Sequence, residues 1–239
     1  MNYQYAMDLH THTVASGHAY CSLREMAKAA SDKGLQILGI TEHAPAMPGS
    51  CHKFYFHNLK VVPRELYGIR LLLGTEVNIL DRDGNVDLGN RTLEAMDVVI
   101  ASLHVPCIKP SGKQENTEAM INTMKNPHVN IMGHPDDGRY ELDYTAVVQA
   151  AREYGKILEL NNHSLQPDCT RENALENDRI MLRLCMEYQV PVIVNSDAHF
   201  DTLIGEFAEA DSLLTELHFP EELLINRSAE LLKGRVNRY

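Results

Sequence analysis

Seven short apolar segments alternating with helical patterns constrain this chain more than any other feature. They run Tyr5 to His10, Ile37 to His43, Arg70 to Ile79, Asp97 to His104, Val129 to His134, Lys156 to Asn161 and Val190 to Ser196. Near-continuous apolar runs of this length suit strands buried on both faces of a parallel sheet. Between them, Ser22 with Glu25 makes a capping box that opens a helix stopping at Gly34, and Asp143 opens another that ends at Gly155. Thr117 to Lys125 and Asn173 to Tyr188 fill two further intervals. The alternation predicts βαβ units in a single α/β domain over residues 1–239, either an open doubly wound sheet or a closed barrel. No G-x-G-x-x-G follows any of the strands, so a dinucleotide site has no support.

Composition removes several function classes. Hydrophobic residues make up 44% of the chain and charged ones 23%, which excludes a disordered or fibrous protein. No apolar run approaches the ~18 residues of a membrane span, and the N-terminal stretch lacks the basic and apolar regions of a secretory signal, so the expected compartment is the cytoplasm. The five cysteines are scattered without a C-x-x-C pair and read as free thiols. In that compartment the N-x-S/T matches at Asn90, Asn162 and Asn226 are chance. A net charge of −11 with no Lys/Arg cluster argues against a duplex-binding surface. Histidine is the anomaly, with twelve in the chain and no tag-like run.

The histidines fall where the strands end. His10 and His12, two apart in an extended segment, project to the same face and converge without loop rearrangement; His18 follows them. Strand two ends in Glu42 and His43, strand three in Glu76, strand four in His104, strand five in His134, and strand seven leads into Asp197 and His199. In a parallel barrel all those ends lie on one rim, where such barrels place their active sites. Setting Glu42 aside, seven imidazoles and two carboxylates would converge there, too many for one ion that takes four to six ligands. More than one metal is therefore expected.

These residues carry a resemblance. The ordered set Asp8-Leu9-His10-Thr11-His12-Thr13, Thr41-Glu42-His43, Gly74-Thr75-Glu76, Ser102-Leu103-His104, Gly133-His134-Pro135 and Asn195-Ser196-Asp197-Ala198-His199 resembles the PHP (polymerase and histidinol phosphatase) superfamily along the whole chain. The connecting stretches Pro45 to Ser50 and Phe54 to Phe56 look like its bacterial phosphatase subgroup. The resemblance implies a distorted (β/α)7 TIM-like barrel with a trinuclear centre at the C-terminal ends of the strands, usually assigned as zinc. By similarity the first metal takes His10, His12, Glu76 and Asp197, the second shares Glu76 and adds His104 and His134, and the third takes His18, His43 and His199. A cysteine-free nitrogen and carboxylate set suits Zn²⁺ and is compatible with Mn²⁺ or Fe²⁺.

Clustered divalent ions lower the pKa of a shared water toward ~7 and clamp a phosphate ester, so hydrolysis of a small phosphorylated metabolite by metal-activated water is the expected chemistry. Arg64, Lys109, Lys113 and Arg139 follow strand ends and are candidates to hold a phosphate oxygen or a distal anion, and His163 is a candidate proton donor to the leaving oxygen. Asp136 and Asp137 read as a turn, with an outer carboxylate behind His134 as the alternative. A phosphodiesterase or exonuclease of the same superfamily would want a basic groove that the composition lacks. A non-enzymatic metal-binding regulatory barrel is opposed by ligands gathered at a rim with no thiolates to close the site. Nothing in the sequence opposes a homo-oligomer.

Overall fold

The period-two alternation of each strand positions the interior of this protein. The computed structural model describes residues 3–239. In chain order the elements are β1 (Met7–Asp8), α1 (Leu23–Asp32), β2 (Ile37–His43), α2 (Phe54–Asn58), β3 (Glu65–Leu66), β4 (Ile69–Asn78), α3 (Asn90–Leu93) and β5 (Val99–Ser102). They continue as α4 (Lys113–Met124), β6 (Ile131–Met132), α5 (Tyr144–Tyr154), β7 (Ile157–Asn161), α6 (Ala174–Tyr188), β8 (Val192–Asn195), α7 (Ala208–Glu216) and α8 (Ala229–Leu232). Seven strands pair in parallel in the order β1, β2, β4, β5, β6, β7, β8, while β3 forms an antiparallel edge on β4. The result is a nearly closed α/β barrel with helices in the crossovers.

Several of the sequence signals act as expected. Ser22 accepts from the Glu25 amide while Glu25 reaches back to the Ser22 amide, the Asp143 side chain accepts from Ala146, and Gly155 closes α5 at φ +66°. The helix expected from Thr117 starts earlier, at Lys113, because Gly112 takes the N-cap position and Glu115 bonds back to its amide. Two glycines sit where strands touch closely. A Cβ on Gly39 would lie 2.5 Å from the Leu9 carbonyl oxygen, and one on Gly74 would lie 2.1 Å from that of Val98.

The barrel interior is a layer with one residue from each strand: Met7, Ile37, Leu72, Ile100, Ile131, Ile157 and Ile193. Counting onward in steps of two from Ile37, Leu72, Ile100, Ile157 and Ile193 reaches His43, Glu76, His104, Glu159 and Asp197, so the alternation that packs the interior also turns these side chains inward at the rim. His134 stands at an odd spacing from Ile131 and is brought round by a left-handed backbone, φ +29°. His10 and His12 are odd with respect to Met7, and the regular β1 ladder ends before them, at Asp8.

Between β8 and β1 the barrel has no continuous ladder. A segment from near the end of the described chain fills the seam instead: Leu224 bridges Val192, and Ala6 N–H donates to the Asn226 carbonyl at 2.7 Å. The buried Asn226 side chain accepts from Val194 N–H at 2.7 Å and donates to the carbonyls of Met7 at 2.9 Å and Val194 at 2.7 Å. Nearer the rim, Leu9 N–H donates to Asn195 Oδ1 at 2.9 Å and Thr11 bridges Ala198. Asn226→Ala strips partners from three buried backbone groups, and each such loss costs about 1–3 kcal/mol. Urea unfolding of this variant is expected to show a loss of about 2–4 kcal/mol; a loss under about 1 kcal/mol would mean that Asn226 does not hold the seam.

Candidate metal centre

Glu76, fully buried on β4, sits at the middle of the rim cluster. Its Oε1 lies 3.0 Å from His134 Nε2, 3.2 Å from His104 Nε2 and 3.4 Å from His10 Nε2, and its Oε2 lies 2.7 Å from His43 Nδ1 and 3.6 Å from His12 Nε2. Asp197 Oδ1 approaches His12 Nε2 at 3.4 Å, His10 Nε2 at 3.5 Å and His199 Nδ1 at 3.7 Å. The His18 ring stacks on those of His43 and His199, with centroids 4.9 Å away in each case. All nine predicted ligand residues are thus brought to one basin.

Outer hydrogen bonds fix which ring nitrogens face inward. His10 Nδ1 bonds Glu159 Oε1 at 2.8 Å, which leaves Nε2 bare toward Glu76 and Asp197. Ser16 Oγ donates to Glu42 Oε2 at 2.6 Å, so at 3.0 Å from His12 Nδ1 it can only accept, and His12 also presents a bare Nε2. Asn78 spends its amide protons on Ala44 and Asp87, so its Oδ1 accepts from His104 Nδ1 at 2.8 Å. Each imidazole is oriented by an outer partner in the manner of metal-binding histidines. His134 and Asp197 hold positive φ angles of 29° and 55°, a backbone strain of about 1–3 kcal/mol each. Their neighbours hold them there: His134 N–H donates to Glu159 Oε2 at 2.8 Å, and Arg171 grips Asp197 Oδ2 at 2.9 Å.

Most of the inward atoms have no partners of their own. His10 Nε2, His12 Nε2, His43 Nδ1 and Glu76 Oε2 are buried without a hydrogen bond, as is the other ring nitrogen of His134, Nδ1, whose Nε2 meets Glu76 Oε1. Lone pairs in that condition cost about 1–3 kcal/mol apiece unless something electropositive meets them. Among the described residues, three groups each bring one ligand atom per member within 4.8 Å of one another: His10, His12 and Glu76; His43, Glu76 and His104; and His12, His43 and His199. The donor set therefore suits divalent cations. The groups overlap at His12, His43 and Glu76, whereas the resemblance implied sharing at Glu76 alone. Burial depresses the pKa values of His12, His18 and His199, and lowers that of His104 to about 4. Burial also opposes charge on His10, but Glu159, Asp197 and Glu76 outweigh it and hold its pKa well above the ordinary value.

Above this cluster lies a cavity of about 300 Å³ lined by His18, His43, Met47, His104, His163, Arg171, Asp197, His199 and Leu203. His163 is brought to it, with Nδ1 against Gln166 Oε1 at 3.1 Å. The four predicted anion holders do not line it. Arg64 pairs with Asp97 at 2.7 Å and donates to the carbonyls of Leu59 and Val62, on the outside of the barrel. Arg139 is clamped by its neighbour Asp137 at 2.6 Å, exposed Lys113 faces Glu141 at 3.8 Å, and Lys109 projects from an exposed loop.

Three contributors escaped sequence reasoning. Glu159 accepts from His10, His134 N–H, Asn195 and Asn161. Its signal was an acid inside the apolar run Ile157-Leu158-Glu159-Leu160. Glu42 was visible in the strand, but its acceptance from Thr13, Ser16 and Tyr55 was not. Arg171, in an irregular stretch, had no signal at all. It donates to Asp197 Oδ2, Ser164 Oγ at 2.8 Å and Asn161 Oδ1 at 3.2 Å; burial disfavours its charge, but Asp197 and Asp136 more than offset that and raise its pKa.

A parallel barrel with a buried imidazole and carboxylate cluster at the C-terminal ends of its strands defines a TIM-like scaffold whose rim could hold divalent metal. The comparisons agree: residues 8–166 match the PHP domain, and the chain belongs to the PHP family. Relatives named "probable phosphatase" include a protein of Clostridium novyi, 44% identical over 96% of this chain and 93% of its own length. Another, from Caldicellulosiruptor saccharolyticus, is 46% identical over 94% and 92%. Among solved structures, histidinol phosphate phosphatase of Lactococcus lactis, complexed with zinc, L-histidinol and phosphate, superposes with a TM-score of 0.64 at 19% identity, covering 90% of this chain and 95% of that one. A chain from an archaeal ribonuclease P complex with mature tRNA gives 0.61 at 15% identity over 96% and 90%. Both likenesses are of fold.

The depressed imidazoles set a pH dependence. An unfolded chain protonates them near about 6.5, whereas in the folded chain His104 takes its proton only at about 4. Between those values the unfolded state binds more protons, so stability falls as pH falls. His10 has the opposite sign: its contribution is complete below about 6.5 and is lost as pH rises through its raised folded value. The buried aspartates Asp8, Asp136 and Asp178, whose pKa values burial raises, share the sign of His10, so the direct readout is His104 itself: in chelator-stripped protein an NMR titration is expected to find its imidazole neutral at pH 7 and taking its proton only at about 4. Protonation of His104 near its ordinary value of about 6.5 would contradict this.

Proposed function

We propose that this chain is a metal-dependent phosphatase that hydrolyses small phosphomonoesters at a trinuclear, zinc-type centre. The observation that carries the reading is the Glu76 carboxylate facing five imidazoles, three of whose inward nitrogens, His10 Nε2, His12 Nε2 and His43 Nδ1, are buried with no hydrogen bond. The names of relatives at 44–46% identity support the phosphatase class. His10, His12, His18, His43, Glu76, His104, His134, Asp197 and His199 would hold the ions, with Glu76 shared between them. Zn²⁺ is the favoured identity, with Mn²⁺ or Fe²⁺ compatible with the same donors. When bound, such ions supply Lewis acidity, a water of lowered pKa and charge to meet a phosphate dianion.

The protein's own groups do the rest. The cavity of about 300 Å³ admits a phosphoryl group and a small leaving group, which favours a small phosphorylated metabolite over a polymer. Arg171 is the one cation lining it. Its fork holds Asp197 in place and adds positive charge beside the position a phosphate oxygen would take. Because His163 Nδ1 faces an acceptor in Gln166, Nδ1 carries the proton of the neutral ring and Nε2 is bare, so His163 could pass a proton from Nε2 to the leaving oxygen only as the imidazolium. His10 and His12 are kept in their metal-competent tautomers by Glu159 and by Ser16 with Glu42.

Zinc-loaded protein is expected to hydrolyse p-nitrophenyl phosphate and to act poorly on bis-p-nitrophenyl phosphate, with inorganic phosphate as an inhibitor. Chelation should abolish the activity and metal should restore it. Arg171→Ala is expected to lower kcat/KM for the monoester by at least about tenfold, the effect of losing one charge-assisted contact. Steady-state kinetics on both substrates decides: equal or faster turnover of the diester would place the activity in the phosphodiesterase class.

A further inference from the structure

A second cavity, of about 590 Å³, lies on the outside of the barrel where α2, the stretch before β3, α3 and the tail after α8 meet. None of its lining residues borders the rim cavity. Its cations are Lys60, Arg64, Arg91 and Arg238. Arg64 is compensated by Asp97, but among the described residues Lys60, Arg91 and Arg238 have no carboxylate within ion-pair distance. The protein carries a net charge of −11, so its 33 acidic residues could have supplied partners, yet three cations converge on one concavity without any. Like charges gathered over low-dielectric walls repel one another and focus a positive potential, a cost that solvent and salt reduce and a bound anion would remove. The floor is apolar, with Phe56 and Met96 buried beneath the charges. His57, also in the lining, is turned aside by a 3.1 Å contact with Thr92 Oγ1.

We propose that this cavity is a binding site for a small organic polyphosphate, separate from the metal centre. The charges match: three uncompensated cations suit an anion carrying two to three negative charges, with guanidinium forks at Arg91 and Arg238 able to take phosphate oxygens bidentately. The size matches as well, since pockets of about 300–1,000 Å³ hold ligands of nucleotide dimensions. An apolar floor beside the cations fits a flat organic group attached to the phosphates better than it fits a bare inorganic ion. A concavity with no basic stripe leading away from it does not fit a nucleic-acid duplex.

The test is equilibrium binding of the non-hydrolysable methylene-bridged analogue of ADP to zinc-loaded full-length protein at fixed ionic strength, read by calorimetry. Binding to the wild type is expected, weakened at least tenfold in the Arg91→Glu/Arg238→Glu double variant and unchanged in Arg171→Ala. Both reversed positions are solvent-exposed, so the fold is preserved; turnover of p-nitrophenyl phosphate by the double variant should stay within about twofold of wild type. No binding to the wild type at millimolar analogue would overturn the proposal. So would binding that survives the double reversal or is lost in Arg171→Ala, because the ligand would then lie at the rim. These readings do not depend on catalysis, so failure of the phosphatase assignment would leave them interpretable.

Discussion

The arrangement of this protein depends on one buried carboxylate. Glu76 has no solvent exposure and five imidazoles around it, at a position where β4 is paired with β2 on one side and β5 on the other. Burial alone would drive its pKa upward, but His104, His10 and His43 outweigh that and hold it well below the ordinary value. An ionised group in that setting is tolerated only where charge and directional contacts surround it. The rim supplies this arrangement by drawing side chains from all seven parallel strands or the turns that follow them. Three of the imidazoles that surround Glu76, those of His10, His12 and His104, are in turn braced from outside by Glu159, Ser16 with Glu42, and Asn78.

The scaffold makes this possible through a geometric coincidence of parity. The alternation that fills the barrel with branched side chains turns His43, Glu76, His104, Glu159 and Asp197 inward one or more steps higher. At His134, where parity fails, the backbone bends to positive φ; Asp197, though in step, also adopts positive φ, and each is held by a charged neighbour, Glu159 and Arg171 respectively. The barrel closes without a complete ladder because Asn226 makes the missing bonds between β1 and β8. Site and seam therefore use the same device, a buried polar side chain substituting for regular pairing.

Much of this was legible in the sequence because its periodicities are strong. The apolar runs located all seven parallel strands, and the histidines and carboxylates at their ends located the rim. Boundaries were less visible: the runs Tyr5 to His10 and Val129 to His134 shorten to Met7–Asp8 and Ile131–Met132, since irregular backbone at the rim breaks the ladder early. The seam left no local signal, because Asn226 acts on Met7, 219 residues away, and reads in isolation as a chance glycosylation match. Arg171 was hidden for the same reason, on a loop whose meaning comes from Asp197. Lys109, Lys113, Arg64 and Arg139 were visible as charges following strand ends, but proximity in sequence to a rim is not orientation toward it. Arg64 and Arg139 are held instead by Asp97 and Asp137.

The central claim is that Glu76 is the shared ligand around which the metals assemble. Metal content and circular dichroism of Glu76→Gln test it directly. The amide is nearly the same shape but removes the charge and replaces one ligating oxygen with an NH₂ group that cannot ligate. The account predicts wild-type circular dichroism, loss of more than one metal equivalent per chain by elemental analysis, and loss of nearly all phosphatase activity. Full metal content with substantial turnover in the same variant would contradict it.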